Sequence, residues 1–578
     1  MPRFSMIFGF LIAFLAAFNA TARELPPIID YASLAQPVWA QNGMVSSQEQ
    51  LATRIGVDIL RQGGNAVDAA VAVGFALAVT LPRAGNLGGG GFMLVHLADS
   101  RQTVAIDYRE TAPMAADRDM FLDAEGNADP QKSRFSGLAV GVPGSVMGLL
   151  QALDAHGSMT RQQVMRPAIR LAEEGFPVSR DLSLSLTRAA NRLQRDPASK
   201  SLFYHADGEA YRPGEKLVQA ELAQTLKKIA AQGADGFYRG TVAQSIVDRV
   251  NAAGGRFSLQ DLADYRVKIR QPVRGEYRGY QIASMPPPSS GGTHIVQILN
   301  TLEHFDLARS GHHSADTIHL MAEAMKRAYA DRSRYLGDPD FVDVPVTQLT
   351  AKNYAKRLAA RIDRVNASDS KDIAPGLSLP AESPQTTHFS VVDRWGNAVA
   401  NTYTLNFSYG AGLMTAGTGV LLNNELDDFS AKPGVANAYG LIGGDANAVV
   451  AGKRPLSSMS PTIVFDRDSD EVLLVTGSPG GSRIITVTLQ IISNVVDQGM
   501  NIAEATQSPR FHHQWLPDKL VLEKGFSPDT IRLLQSRGHQ VDTAGWAMGS
   551  TQSIMRAADG GWHGASDIRQ SGTLTSGY

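Results

Sequence analysis

The sequence predicts an α/β fold in which two strand-rich layers lie between helices. Three observations lead there. The chain has 578 residues, 43% of them apolar, enough to bury a large core. From about residue 161 to 360 the apolar spacing is mostly helical, and from Thr386 it switches to short strands. A long amphipathic helix over 482–496 then follows the strand-rich segment. Sheet-on-sheet packing flanked by helices satisfies that arrangement, although composition alone allows several α/β folds.

Taken in order, Met1-Pro2-Arg3 is a short basic start, and Met6 to Phe18 is apolar apart from Gly9. Ala20-Thr21-Ala22 follows as an A-x-A-like cleavage site. The apolar run is shorter than the roughly 20 residues of a membrane-spanning helix. Residues 1–22 are therefore expected to be a removed signal peptide, with Arg23 opening a periplasmic or secreted chain that keeps no membrane segment. Ser46-Ser47 reads as the N-cap of a helix from Glu49 to Arg61, with Leu51, Ile55 and Ile59 one turn apart and Gly63-Gly64 as its stop. Asn65 caps a second helix, Ala66 to Val79, whose small apolar residues and single charge, Asp68, mark it as buried on most sides.

Gly88 to Gly91 follow a helix and precede the strand-like Phe92–Val95. A dinucleotide loop needs the reverse order, and no Lys-Ser/Thr follows, so close backbone packing is expected instead. Val104 to Thr111 reads as a strand running into a loop. Helices are expected over 144–155, 161–174, 217–232, 242–253 and 315–336. Leu182 to Leu186 alternates like a strand among helix formers and stays open. Pro286 to Gly292 reads as a rigid turn passing into a flexible one. Strands are expected over 387–393, 398–405, 419–423, 462–465 and 471–476. No repeats or low-complexity linkers interrupt the chain.

Several chemistries are argued against by composition. Formal net charge is -2 with no long basic run, so there is no nucleic-acid footprint. The chain has no cysteine, which removes thiol nucleophiles, thiolate metal sites and disulfides together. G-x-S-x-G, H-E-x-x-H and the S-x-x-K set are absent. His312, His313 and His319 lie near Asp316 in sequence, and His512-His513 form a pair, but standard zinc-ligand spacings are lacking. These histidines are expected on the surface or bonded in the core, with no metal.

Attention then falls on Gln385-Thr386-Thr387-His388-Phe389-Ser390-Val391-Val392-Asp393. A threonine hydroxyl is a poor nucleophile until a base takes its proton, and an N-terminal amine on the same residue can be that base. Its reference pKa of about 7.7 to 8 leaves a useful neutral fraction near physiological pH. A mid-chain threonine has no such amine, and on the residues alone two threonines before a strand read as ordinary β-branched strand residues. Behind them stand Thr402-Tyr403-Thr404-Leu405-Asn406, Asn423 to Ser430 with Glu425, Asp427 and Asp428, Arg454 to Thr462 with Ser457 and Ser458, and Thr476 to Arg483 with Gly480 and Gly481.

Together these segments resemble the γ-glutamyltranspeptidase (glutathione hydrolase) family of N-terminal-nucleophile hydrolases. The resemblance covers nearly the whole chain after residue 22 and implies the αββα sandwich. It also implies that the precursor cuts itself between Gln385 and Thr386, giving a large subunit over 23–385 and a small one over 386–578 that pair as a heterodimer. Thr386 is then the nucleophile and Thr404 orients it, while the Gly480 and Gly481 amides hold the oxyanion. Asp-Tyr-Arg-Glu-x-Ala-Pro at 107–113 is similar to the segment whose arginine, here Arg109, binds the substrate carboxylate, a lone arginine that would otherwise read as solvated or salt-bridged. Ser457 and Ser458 join Arg109 on the carboxylate, and Asn406, Glu425 and Asp428 suit the ammonium of a γ-glutamyl head group. Glu425 stands where some relatives carry the amide, Asp427 is expected to be structural, and Ala431 to Gly444 with Tyr439 resembles a lid. The implied donor is glutathione, the acceptors are water, amino acids or peptides, and no cofactor is needed. A glutaryl-type β-lactam acylase on the same scaffold and a catalytically silent exported amino-acid or peptide binder are the alternatives.

Overall fold

The computed structural model describes residues 33–373, 386–432, 435 and 444–578. The expected leader (1–22), the junction residue Gln385 and Tyr439 lie outside the described residues. Within the first half run strands β1 (Val38–Ala40), β2 (Met44–Ser47), β3 (Gly90–Leu97), β4 (Gln102–Tyr108), β5 (Lys268–Arg270), β6 (Val273–Tyr277) and β7 (Tyr280–Ser284). Beyond Thr386 come β8 (Thr387–Val392), β9 (Ala398–Thr404), β10 (Thr462–Phe465), β11 (Val472–Thr476), β12 (Gln552–Arg556), β13 (Trp562–Ser566) and β14 (Leu574–Gly577). They build two seven-stranded antiparallel sheets, one in the order β14-β2-β8-β9-β3-β4-β5 and the other β1-β13-β12-β11-β10-β7-β6.

Side-chain alternation makes four layers of these sheets. Phe92 and Leu94 of β3, Ala105 of β4 and Ala398 and Ala400 of β9 meet Ile463, Val475, Ile554 and Trp562 of the second sheet in one buried cluster. Their neighbours Met93, Val95, Ile106 and Val399 point the other way, into a larger cluster with the helices. Those helices are α1 (Gln50–Arg61), α2 (Ala66–Thr80), α3 (Ser145–His156), α4 (Arg161–Glu174), α5 (Arg180–Leu193) and α6 (Ala220–Gln232). On the second sheet, α7 (Gly291–Leu302) packs over β6 and β7 and against α8 (Ala315–Tyr335) and α9 (Arg483–Val496). The predicted αββα sandwich is what forms.

Every residue of α2 is buried, and Asn65 and Asp68 close a reciprocal capping box at its start. The N-cap of α1 differs from expectation. Ser46 and Ser47 belong to β2, paired with β8 and β14, and the Glu49 carboxylate takes the Leu51 and Ala52 amides instead. The ambiguous stretch Leu182–Leu186 lies inside α5, where Leu182 and Leu186 bury one helical face. The strand expected over 419–423 shrinks to Val420–Leu421, paired with Met414–Thr415. The flexible turn expected at 291–292 is instead the buried first turn of α7. Close glycine packing at 88–91 is observed: a Cβ on Gly88 would lie 2.1 Å from the Leu421 carbonyl oxygen, and one on Gly89 2.1 Å from that of Thr404.

Candidate active site

Sheet register places the first residues of the site. β8 pairs with β9 through Thr387 and Tyr403, β9 with β3 through Thr404 and Gly90, and β3 with β4 through Gly91 and Tyr108. One step further along the same register, Thr386 stands opposite Thr404, and Arg109 follows the end of β4. Thr386, Thr404, Gly90 and Arg109 thus form a row across the end of four neighbouring strands. Period-two alternation puts Thr386 and Thr404 on the inter-sheet face, together with Ala398, Ala400 and Val392. The site is therefore the mouth between the two sheets.

Across that mouth the second sheet contributes two loops. Ser457 and Ser458 precede β10. Gly480 and Gly481 follow β11 and lead into α9, with φ of 141° and 58°, a region open mainly to glycine. Their position at the start of a long helix directs backbone N–H groups and the positive end of its dipole toward the mouth. Thr386 Oγ1 donates to Thr404 Oγ1 at 3.4 Å, and Thr404 Oγ1 accepts the Asn406 amide at 2.9 Å. Asn406 holds a positive φ of 71° and donates through Nδ2 to the Asn424 carbonyl at 3.0 Å. No histidine, lysine or carboxylate bonds to the Thr386 hydroxyl among the described residues. His388, two positions on, is fully buried between Thr402 and Ser390, and burial drops its pKa to about 3, so it stays neutral.

Arg109, fully buried, is the centre of charge. Its guanidinium donates to Glu425 and Asp428 and, through Nε, to the Pro455 carbonyl at 3.2 Å. Glu425 and Asp428 lie on a short 3-10 turn, Glu425–Asp428, so one cation meets two acids from a single element. The carboxylate and ammonium clusters expected separately are thus in direct contact. A third acid, Glu110, lies 3.8 Å from Arg109 and is buried completely. Burial raises the pKa of all three carboxyls and Arg109 opposes the rise. Asp427 turns away to accept from Ser133 at 2.5 Å and to pair with Arg134, a structural role as expected.

Arg109, Thr386, Thr404, Asn406, Glu425, Asp428, Ser457, Ser458 and Gly481 line one narrow cavity of about 20 Å³. That is room for about one water. Gly480 faces a second, wider cavity that also reaches Thr386. Two further residues of the site carry little or no sequence signal. Glu110 adjoins Arg109 in the quoted motif. Arg332, far off on α8, donates to Ser458 Oγ at 3.2 Å and to Ser290 Oγ at 2.9 Å, and nothing local marks it. The histidines expected to be structural have such partners: His319 contacts His539, His513 contacts Asp518, and His312 stacks on His313.

The family model for gamma-glutamyltranspeptidase matches residues 52–576. The chain belongs to the γ-glutamyltranspeptidase family. It is 56% identical over 567 residues to a glutathione hydrolase proenzyme of Escherichia coli (strain K12), covering 97% of each chain. Among solved structures it resembles γ-glutamyltranspeptidase of Helicobacter pylori, with 45% identity and a TM-score of 0.56, over 61% of this chain and 97% of that one. It also resembles a cephalosporin acylase of Bacillus halodurans, at 27% identity and a TM-score of 0.81, over 96% and 99%. Family and architecture agree with the fold and chemistry expected from the motifs.

Proposed function

We propose that the chain is an exported γ-glutamyltransferase and glutathione hydrolase that makes its own nucleophile by cleaving before Thr386. Family membership supports the activity. The observation that carries the site assignment is the convergence of Thr386, the Arg109–Glu425–Asp428 cluster and Gly481 on one cavity. Removal of residues 1–22 and self-cleavage give fragments 23–385 and 386–578, which remain a heterodimer. Among the described residues no helix is long and apolar enough to cross a membrane.

In the cut enzyme the new amine of Thr386 takes the hydroxyl proton, and Oγ1 attacks the γ-carbonyl carbon. Thr404 holds the hydroxyl in line. Negative charge developing on the carbonyl oxygen meets the Gly480 and Gly481 amides, where one such donor is worth about 10²–10³ in rate. The C–N bond breaks, the same amine protonates the leaving nitrogen, and a γ-glutamyl ester remains on Thr386. Water or an acceptor amine then attacks that ester. The zwitterionic head group enters by exchange: its carboxylate takes Arg109 with Ser457 and Ser458, and its ammonium takes Glu425, Asp428 and Asn406. The narrowness of the cavity follows from Arg109 being held by those two acids until a substrate replaces each half of the pair.

Intact mass and N-terminal sequencing of wild type beside Thr386→Ala test this. Wild type gives two fragments, the smaller beginning Thr-Thr-His-Phe, and the variant stays whole. Wild type then releases 4-nitroaniline from its γ-glutamyl anilide at least tenfold faster than from the glutaryl anilide, because a glutaryl group lacks the ammonium that two acids await. The reverse preference would favour a β-lactam side-chain acylase. A folded wild-type chain that binds glutamate yet never cuts would leave a silent binding protein.

A further inference from the structure

Thr386 lines both the narrow cavity and a second one of about 530 Å³. Its size falls in the range of small-ligand sites, and Gly480 lies on its wall. Because both cavities reach Thr386, an acyl group carried on its Oγ1 adjoins the wide cavity as well as the narrow one. Three arginines line the wide cavity: Arg83, Arg188 and Arg569. Arg83 is paired with Asp181, and Arg569 with Glu523 and Asp567. Arg188 makes no ion pair among the described residues and is exposed on α5, whose Leu182 and Leu186 anchor the helix in the core. Leu184 and Trp546 give the same cavity an apolar wall.

We propose that this wide cavity receives the acceptor amino acid or peptide, and that Arg188 selects acceptors carrying a free carboxylate. The proposal rests on the transferase reading above and names the acceptor side of that site. The neutral acceptor amine attacks the ester carbonyl carbon, forming the new C–N bond. The C–Oγ1 bond of Thr386 breaks, and the proton leaving the acceptor nitrogen passes through the Thr386 amine to Oγ1. Opposite charge on Arg188 holds the far end of the acceptor, while its side chains rest on Leu184 and Trp546.

The test compares glycylglycine with glycylglycine amide as acceptors for the γ-glutamyl group of the 4-nitroanilide. The readout is the ratio of their transfer kcat/KM values in wild type, Arg188→Lys, Arg188→Gln and Arg188→Glu. Because Arg188 is exposed, wild type is expected to favour the free carboxylate by only about fivefold. The lysine variant keeps that preference, the glutamine variant brings the ratio near one, and the glutamate variant inverts it. Folding losses cancel, since both acceptors are read on the same preparation. An identical ratio in all four proteins would overturn the assignment of Arg188. Failure of wild type to release any 4-nitroaniline would sink the transferase reading itself, and this proposal with it.

Discussion

Three buried carboxyls crowd around Arg109 at this site, and that crowding has a measurable consequence. Glu110 faces Arg109, Glu425 and Asp428, and its field reaches the phenols of Tyr108, Tyr238 and Tyr265. Burial, opposed by Arg109, pushes it from its ordinary 4.5 up to about 7. Between those values the folded protein holds a proton that the unfolded chain has lost. Stability from this group is therefore full below pH 4.5 and declines as pH rises through about 7. The ammonium of the zwitterionic head group, bound beside these acids, favours their ionised forms and expels that proton. The expected outcome is a KM for the γ-glutamyl donor that falls by up to about tenfold from pH 6 to pH 8 and then levels. Glu425 and Asp428 are raised with it, so Glu110→Gln, which cannot ionise, should show a KM that falls clearly less than the wild-type KM over that range, while kcat keeps the dependence expected of the proposed Thr386 amine. A variant KM that still falls tenfold would show that another group holds the proton.

At the scale of elements, what the sequence makes legible is what local forces decide. The capping box at Asn65 and Asp68, the α4 span 161–174 and the strand over 462–465 follow from propensity and period, and the structure repeats them. Leu182–Leu186 stays ambiguous in sequence because alternating leucines suit either period; only the core around α5 selects the helix. Ser46 and Ser47 mislead because serine suits both a cap and a strand, and ladder bonds on both sides of β2 outweigh one cap. Asp68 has a role that its capping pattern hides. Besides the Asn65 amide at 2.8 Å it accepts the Ser158 amide at 2.9 Å and the Met159 amide at 2.9 Å, fastening the start of α2 to the loop between α3 and α4. Asp68→Ala removes three bonds to half-buried or exposed amides and leaves a gap at a buried position, which should cost about 2 kcal/mol, read as a lower urea midpoint at unchanged slope. A loss under about 1 kcal/mol would mean that water replaces the carboxylate at no great cost.

At the scale of the whole molecule, the site is legible in sequence as a set of segments but not as a geometry. Arg109, Thr386, Glu425 and Gly481 come from four distant stretches, and only the register of β4, β3, β9 and β8 aligns the first two. The sequence leaves open that carboxylate and ammonium binders touch, because nothing local brings residue 109 to residue 425. The same topology governs what the proposed cleavage before Thr386 would do. In the first sheet β14 pairs with β2, β2 with β8, and β9 with β3; in the second β1 pairs with β13, and β10 with β7. Each of these five ladders joins a strand from before Thr386 to one from after it, and the inter-sheet core mixes side chains of both parts. Separating the fragments would break every one of them and expose that core to water, which is equivalent to unfolding. The cut protein should therefore elute from size exclusion as one species containing both fragments, at high salt as well as low, since apolar burial rather than surface charge holds it. Denaturant should release both fragments in the same transition that abolishes tertiary circular dichroism. A fragment that dissociates with its fold intact would show that the two parts are separable domains, and the mixed sheets could not then be what holds the molecule together.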